Sequence, residues 1–494
     1  MAATVAREAE ECTYGLLHCP ACVFDFPIVA GVAILRHPDG TLDAQNETTE
    51  RVMVQGPRVR EIAQALKNGD CHKAFELVLN PFTLGGPVIP RSFAGWTPKG
   101  PHKGAAPTPP SVGGSDGGRG RGGVKAAITQ QIKKIDFVVT AKANAKKALL
   151  PRWRQHLATY LTQRRNELSA IEIIELYYGF YSNSEISNYF AYRYTQPRHL
   201  AAMCLASVLR ESKEAVLDLA CGIGHLSHYL SYGLPHKRVV GIDRDFFRLF
   251  VAKNYIAPQA EFVCGEADTS APFADRAFGS VFCSDAFFCF LQRAAAVREM
   301  VRITGPEGNI VLTRTRNFAV EPRQGYELTA EGYRRLFAGC GLKTALFSED
   351  ALVSQYCSRQ GLDLTADNAA NLERSEWLSI FASRSDAPFR HYPAWAAWPH
   401  AVGRLGVNPL YDRTPLNGQV DLKVRFPSDW YRYQNAKFLE YAPEHCTVPA
   451  GLIAALGGGQ SSADVETYVD RFVVIGMPDR YLPVTEGGAG ASAA

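Results

Sequence analysis

The stretch Ala215-Val-Leu-Asp-Leu-Ala-Cys-Gly-Ile-Gly-His-Leu-Ser227 decides the fold. An apolar run makes a strand, Asp218 closes it, glycines turn the chain, and His225 opens a helix. Gly222 and Gly224 allow the backbone to approach a ligand that a Cβ would block. Two more short apolar strands follow at regular distance, Arg238-Val-Val-Gly-Ile-Asp243 and Glu261-Phe-Val-Cys264. Then come Phe278-Gly-Ser-Val-Phe-Cys-Ser284 and Gly308-Asn-Ile-Val-Leu-Thr313, with helical stretches between most of them. Strands alternating with helices predict an α/β fold with a doubly wound sheet, and ligands at the carboxyl ends of its strands.

The residues at those ends suggest what is bound. Asp243 ends the second strand, 25 residues after Asp218. A carboxylate there can accept hydrogen bonds from both ribose hydroxyls of a nucleoside. A dinucleotide site wants a third glycine, yet that position holds Ser227. A diphosphate also disfavours an acid beside the turn, where Asp218 stands. A cationic ligand tolerates it. S-adenosylmethionine carries a sulfonium and an ammonium and no phosphate, so the electrostatics favour it over NAD.

Four segments in order resemble the class I S-adenosylmethionine-dependent methyltransferases, in the style of the ubiquinone/menaquinone-biosynthesis enzymes. They are Val216–Gly224, Val239–Asp243, Gly265–Phe273 and Phe278–Asp285. Leu328–Leu342 resembles the helix after the fifth strand, and Trp377–Arg384 the last, antiparallel strand. The resemblance covers about 195–385. It implies a Rossmann-like sheet, S-adenosylmethionine as cofactor, and Asp218, Ala220, Gly222, Gly224 and Asp243 around it. Ala220 stands where the family usually has glycine. Glu266 and Asp268 compete for the adenine amino group. Ser284 and Asp285 fall where the family handles the methyl acceptor, with Asp285 the candidate base. Methyl transfer depends chiefly on alignment and exclusion of water, so no catalytic triad is expected.

The rest of the 494 residues divides by composition. Residues 81–125 hold 12 Gly and 8 Pro, too many backbone breakers for a packed core. The chain therefore reads as a small N-terminal module (1–85), a flexible linker (86–125), a helical lead-in or lid (126–194), the cofactor domain (195–385) and an aromatic, β-rich extension (386–494). Tyr177, Tyr178, Tyr181 and Tyr189 are the candidate lid aromatics. Net charge is only +4, but Lys99–Arg154 carries 12 Lys and Arg against Asp116 and Asp136. That stretch reads as a solvated linker or as an arm for RNA. The longest apolar runs fall short of the ~20 residues that span a bilayer, so no membrane partner is expected. The scattered cysteines and the polar start suit a cytoplasmic protein.

Cys19-Pro-Ala-Cys22 is one metal-binding knuckle. With the Phe24–Leu35 run after it, it resembles the end of small zinc ribbons. A structural zinc wants four ligands, and the first knuckle is missing, so a metal-free remnant is the expectation. Two function classes stand. One is a methyltransferase for a small molecule, with an RNA methyltransferase as its enzymatic rival. The other is a non-catalytic binding or scaffold protein that keeps the fold.

Overall fold

The computed structural model describes residues 3–8, 11–36, 56–79, 155–180, 184–210, 214–234, 237–266, 270–320, 328–365, 369–456 and 463–483. The 86–125 linker, the basic stretch 99–154 and Asp268 lie outside the described residues.

Four strands come first: β1 (Ala3–Glu8), β2 (Glu11–Cys19), β3 (Phe24–Val29) and β4 (Val32–Ile34). The run around Asp218 gives β5 (Val216–Leu219), then β6 (Val239–Asp243), β7 (Glu261–Cys264) and β8 (Ser280–Ser284). They are followed by β9 (Asn309–Arg316), β10 (Lys343–Ser348), β11 (Leu362–Asp363) and β12 (Trp377–Ser383). One sheet takes the order β1-β2-β3-β4-β7-β6-β5-β8-β9-β12-β10. Within it β4, β7, β6, β5, β8 and β9 are parallel neighbours, whereas β12 runs antiparallel to both β9 and β10.

The central strands are apolar almost throughout because both faces are covered. Leu217 and Leu219 pack on one face with the helices Arg293–Thr304 and Ala330–Ala338, through Val297, Met300, Tyr333 and Phe337. Val216 and Phe282 face the other side, with the helices His225–Gly233 and Phe246–Val251. This alternation follows from the two-residue period of a strand.

β4 pairs in parallel with β7, Val32 opposite Phe262 and Ile34 opposite Cys264. The N-terminal strands thus continue the sheet. The helices Gly56–Lys67 and Cys71–Val78 join the same core, with Phe75 against Phe250 at 5.1 Å.

Past residue 385 come β13 (His391–Tyr392), β14 (Arg404–Val407), β15 (Tyr411–Leu416), β16 (Gln419–Val424), β17 (His445–Pro449) and β18 (Val474–Met477). β15, β16 and β17 form an antiparallel three-stranded sheet, and β14 pairs with β18. The helix Asp429–Asn435 follows β16.

Candidate active site

β5 lies between β6 and β8, where the strand order reverses, and open α/β sheets bind ligands at the carboxyl ends of the strands at such a point. Asp218 and Asp243 stand there, both buried. Asp243 is already engaged. Its Oδ2 accepts the Gly222 N–H at 2.9 Å, and its Oδ1 accepts the Asp245 N–H at 2.9 Å. An ionised carboxylate has about four lone-pair sites, so capacity remains for two ribose hydroxyls. The Ser227 hydroxyl donates to Asp218 Oδ2 at 2.6 Å. The residue in the third-glycine position therefore holds the first acid. Burial pushes the Asp218 carboxyl up to about 7, against the Ser227 hydrogen bond.

The turn runs through left-handed backbone at Ala220 (φ +57°), Gly222 (+57°) and Gly224 (+76°). A Cβ on Gly222 would meet only the Phe190 ring, at 3.7 Å, so space remains on that side. Gly224 differs. A Cβ there would fall 2.8 Å from the Ala252 Cβ and 3.2 Å from the Phe262 ring. The close approach expected at Gly224 is thus between protein segments. Cys221 is buried, and burial drives its thiol pKa well above the ordinary value, as suits a packed core thiol.

Ser284 closes β8 and accepts a hydrogen bond from Thr313 Oγ1 at 2.9 Å. Asp285 follows it in left-handed backbone (φ +58°). The Tyr189 hydroxyl donates to Asp285 Oδ2 at 2.6 Å, and Arg193 Nη1 donates to the same oxygen at 3.2 Å. Arg314 Nε lies 3.2 Å from Oδ1. Burial alone would raise this carboxyl, but Arg314, Arg193 and Arg198 hold it below the ordinary carboxylate range. A carboxylate so held is a weak proton acceptor. Such pairing favours an anchoring role for Asp285 over the base role expected of it.

Sequence reasoning missed the arginines. Arg314 occupies an irregularity in β9, where two residues, Thr313 and Arg314, oppose one of β12, Ser379, between the pairs Leu378–Thr315 and Ile380–Leu312. Such bulges re-aim side chains beside active sites. Its guanidinium also stacks 4.2 Å from the Trp377 ring centroid. The expected strand stopped at Thr313, one residue short of it. Arg193 reaches across the site, because its Nε also lies 3.0 Å from His225 Nδ1. Burial and Arg193 push His225 well below its usual pKa, which keeps the ring neutral.

The lid aromatics divide. Tyr177 is stacked on Phe247, with ring centroids 3.5 Å apart, and is wholly buried. Tyr178 stacks on Phe190 at 5.6 Å. Tyr189, on the helix Ser184–Ala191, reaches Asp285, and Tyr181 lies outside the described residues. The C-terminal segment braces this helix and the turn after it. The Tyr431 hydroxyl donates to Tyr192 O at 3.0 Å, Asn408 Nδ2 to Thr195 O at 3.3 Å, and Arg198 Nη1 to Gln434 O at 3.2 Å.

At the other edge, Glu266 follows β7 and is half-buried. The Leu35 N–H donates to Cys264 O at 3.0 Å, so the N-terminal strands end beside this loop. Cys19 and Cys22 sit at the turn between β2 and β3. Hydrogen bonds from the Cys22 backbone, from its side chain and from the Ala21 backbone lower the Cys19 thiol pKa. Among the described residues no three His, Cys, Asp or Glu side chains gather to hold a metal. Two sulfurs alone do not fit a four-ligand zinc centre. Also among these residues, no helix is long and apolar enough to cross a membrane.

Two acids at adjacent strand ends, with space at Gly222, fit a ligand with cationic groups and a ribose. A family model described as a methyltransferase domain matches residues 217–312. The demethylmenaquinone methyltransferase of Thermotoga maritima is 31% identical over 175 residues, 35% of this chain and 73% of that protein. The enzyme of the same name from Renibacterium salmoninarum is 36% identical over 100 residues, 20% of this chain and 40% of that one. A solved S-adenosylmethionine-dependent methyltransferase from Mesorhizobium loti aligns at 15% identity and a TM-score of 0.28, over 37% of this chain and 95% of that one. On the motif-bearing strands and the extent of the Thermotoga match, the chain belongs to the class I S-adenosylmethionine-dependent methyltransferases.

Proposed function

We propose that this methyltransferase acts on a small aromatic acceptor of the quinol type, bound where β8 and β9 end. The names of the relatives support the acceptor class. So does a wall rich in rings, with Tyr189, Phe288 and Trp377 gathered round Asp285 and its arginines. The observation that carries the reading is Arg193. One side chain touches His225, on the helix after the glycine turn, and Asp285, at the end of β8. Cofactor side and acceptor side therefore share one connected polar network.

When bound, S-adenosylmethionine supplies a methyl carbon already activated by its sulfonium. In our reading Asp218 faces the cationic methionyl end, Asp243 holds the ribose, and the backbone from Ala220 to Gly224 forms the floor. Glu266 or Asp268 takes the adenine amino group. Ser284 and Asp285 border the acceptor, and Asp285 orders Tyr189, Arg193 and Arg314 rather than moving a proton. Alignment in a site closed to water supplies most of the rate. All 12 cysteines are free thiols, which favours a cytoplasmic home.

The test incubates the full chain with labelled S-adenosylmethionine and, separately, a demethylated naphthoquinol and bulk transfer RNA. A methylated quinol is the expected product. Label in RNA with none in the quinol would move the reading to nucleic acid. Cofactor binding with transfer to neither would leave a binding protein.

A further inference from the structure

The turn between β2 and β3 carries two thiols that the methyl-transfer site does not use. It reads Cys19-Pro-Ala-Cys22, and Pro20 pre-sets its first torsion. The Val23 N–H donates to Cys19 O at 2.9 Å and closes the loop. Val23 itself stands in left-handed backbone (φ +55°), an outlier for a β-branched side chain that persists only where its surroundings enforce it. The backbone N–H groups of Ala21 and Cys22 and the Cys22 thiol all donate to the Cys19 sulfur. Donors gathered in this way on a sulfur stabilise it as a thiolate ligand. Two sulfurs on one tetrahedral zinc, each at about 2.3 Å, stand about 3.8 Å apart, near the reach of a thiol hydrogen bond. The pair is thus already spaced to chelate.

The pair is also half of a site, because a structural zinc takes four ligands. Among the described residues no third His, Cys, Asp or Glu joins the two thiols. Cys12 lies seven residues back on the same strand, about 23 Å away at the rise of a strand. His18 precedes Cys19 and so falls on the opposite face of β2, where its Nδ1 lies 2.9 Å from Asp25. The face that carries Cys19 is uncharged. Register sets Leu17 opposite Phe26 and Cys19 opposite Phe24, so these four share it. Leu17 is 39% exposed, Val23 at the tip 77%, and Cys22 is exposed as well. The charges of this hairpin end lie on the other face, where Asp25 also pairs with Lys67 at 2.7 Å.

We propose that two copies of this chain share one zinc ion, each giving Cys19 and Cys22 to a four-thiolate centre on a two-fold axis. A two-fold axis makes the second half-site identical to the first, so two chains complete the ligand set with no further residue. The four thiol protons pass to solvent as the metal binds. Leu17 and Val23 are then covered around the metal, and no like charges are brought together.

The experiment uses the full chain, reduced and freed of metal with a chelator, then titrated with zinc and followed by light scattering. The expected result is one zinc per two chains and a doubling of mass that the chelator reverses. Cobalt(II) in place of zinc should show the charge-transfer absorption of a tetrahedral four-sulfur site. Cys22→Ser should abolish both zinc uptake and the doubling, while S-adenosylhomocysteine still binds. Leu17→Asp removes no ligand, yet should weaken zinc binding at least about tenfold, because it sets like charges face to face across the axis. One zinc per chain at unchanged mass overturns the proposal. So does a reduced protein that takes up no zinc, or a Leu17→Asp chain that holds zinc as tightly as the wild type.

Discussion

Arg314 Nε lies 3.2 Å from Asp285 Oδ1, and both residues occupy left-handed backbone, at φ +54° and +58°. Two strained residues on neighbouring strands thus hold each other in place. Strain of this kind costs about 1–3 kcal/mol per residue and persists only where its surroundings enforce it. Asp285→Asn keeps shape and backbone tolerance but removes the charge facing Arg314 and Arg193. We expect a loss of about 3 kcal/mol in unfolding free energy at neutral pH, the scale for breaking a buried pair. The sign of the pH dependence follows from the depressed carboxyl of Asp285. Its stabilisation is complete above the unfolded value of about 3.9 and disappears as pH falls through the lower folded value. Urea titrations should show the variant and wild type converging in acid.

Asp218 behaves in the opposite sense. Its carboxyl titrates at about 7 in the folded chain. The unfolded chain loses that proton from about pH 4 upward, while the folded one keeps it. Stability of the cofactor-free protein should therefore fall between these limits, by up to about 1.4 kcal/mol per pH unit from this group. A cationic ligand beside Asp218 would draw the proton off. Calorimetry at pH 6 in buffers of different ionisation enthalpy should show proton release when S-adenosylmethionine binds, and Asp218→Asn should abolish it.

Two substitutions in the glycine turn should move stability in opposite directions. Ala220 carries a Cβ in left-handed backbone, so Ala220→Gly should stabilise by about 1 kcal/mol. Gly224→Ala forces a Cβ to within 2.8 Å of Ala252, at a φ of +76°. A loss of about 2–3 kcal/mol is expected there. Thermal unfolding of both variants checks the contrast.

Asn408 is wholly buried and donates to Thr195 O at 3.3 Å and to Phe472 O at 3.0 Å. Asn408→Ala leaves two buried carbonyls short of a donor, at a cost of about 2–3 kcal/mol. The loss should be local. Hydrogen exchange should quicken across 184–200 and stay slow in β5 and β6. Uniform quickening would contradict the bracing role given to the C-terminal segment.

The cofactor-binding half of the sheet was legible because its signals are local. Apolar runs ending at Asp218 and Asp243, and glycines free to take positive φ, mark β5, β6 and the turn between strand and helix. Trp377–Ser383 was readable as the antiparallel strand for the same reason. Arg193, Arg198 and Arg314 carried no such mark. Each is an arginine within an aromatic or apolar stretch, and only the packing of distant segments gives it a partner. The clue in β9 was the alternation Thr313-Arg-Thr-Arg316 directly after the apolar run Ile310–Leu312. The joining of β4 to β7 was equally silent, since strand partners far apart in sequence share no local pattern.

That joining bears on synthesis. Val32, Ala33 and Ile34 pair with residues 230 positions later. At a usual ribosomal pace of roughly 5–20 residues per second, β4 waits about 12–46 seconds for its neighbour. During that interval its open edge is a template for any other nascent strand. The hairpin pair β2–β3 and the helices Gly56–Lys67 and Cys71–Val78 are all translated early enough to form beside it. The enzyme therefore begins life with an unfinished sheet that only its own catalytic half completes, and crowded polysomes are where its yield should be most vulnerable.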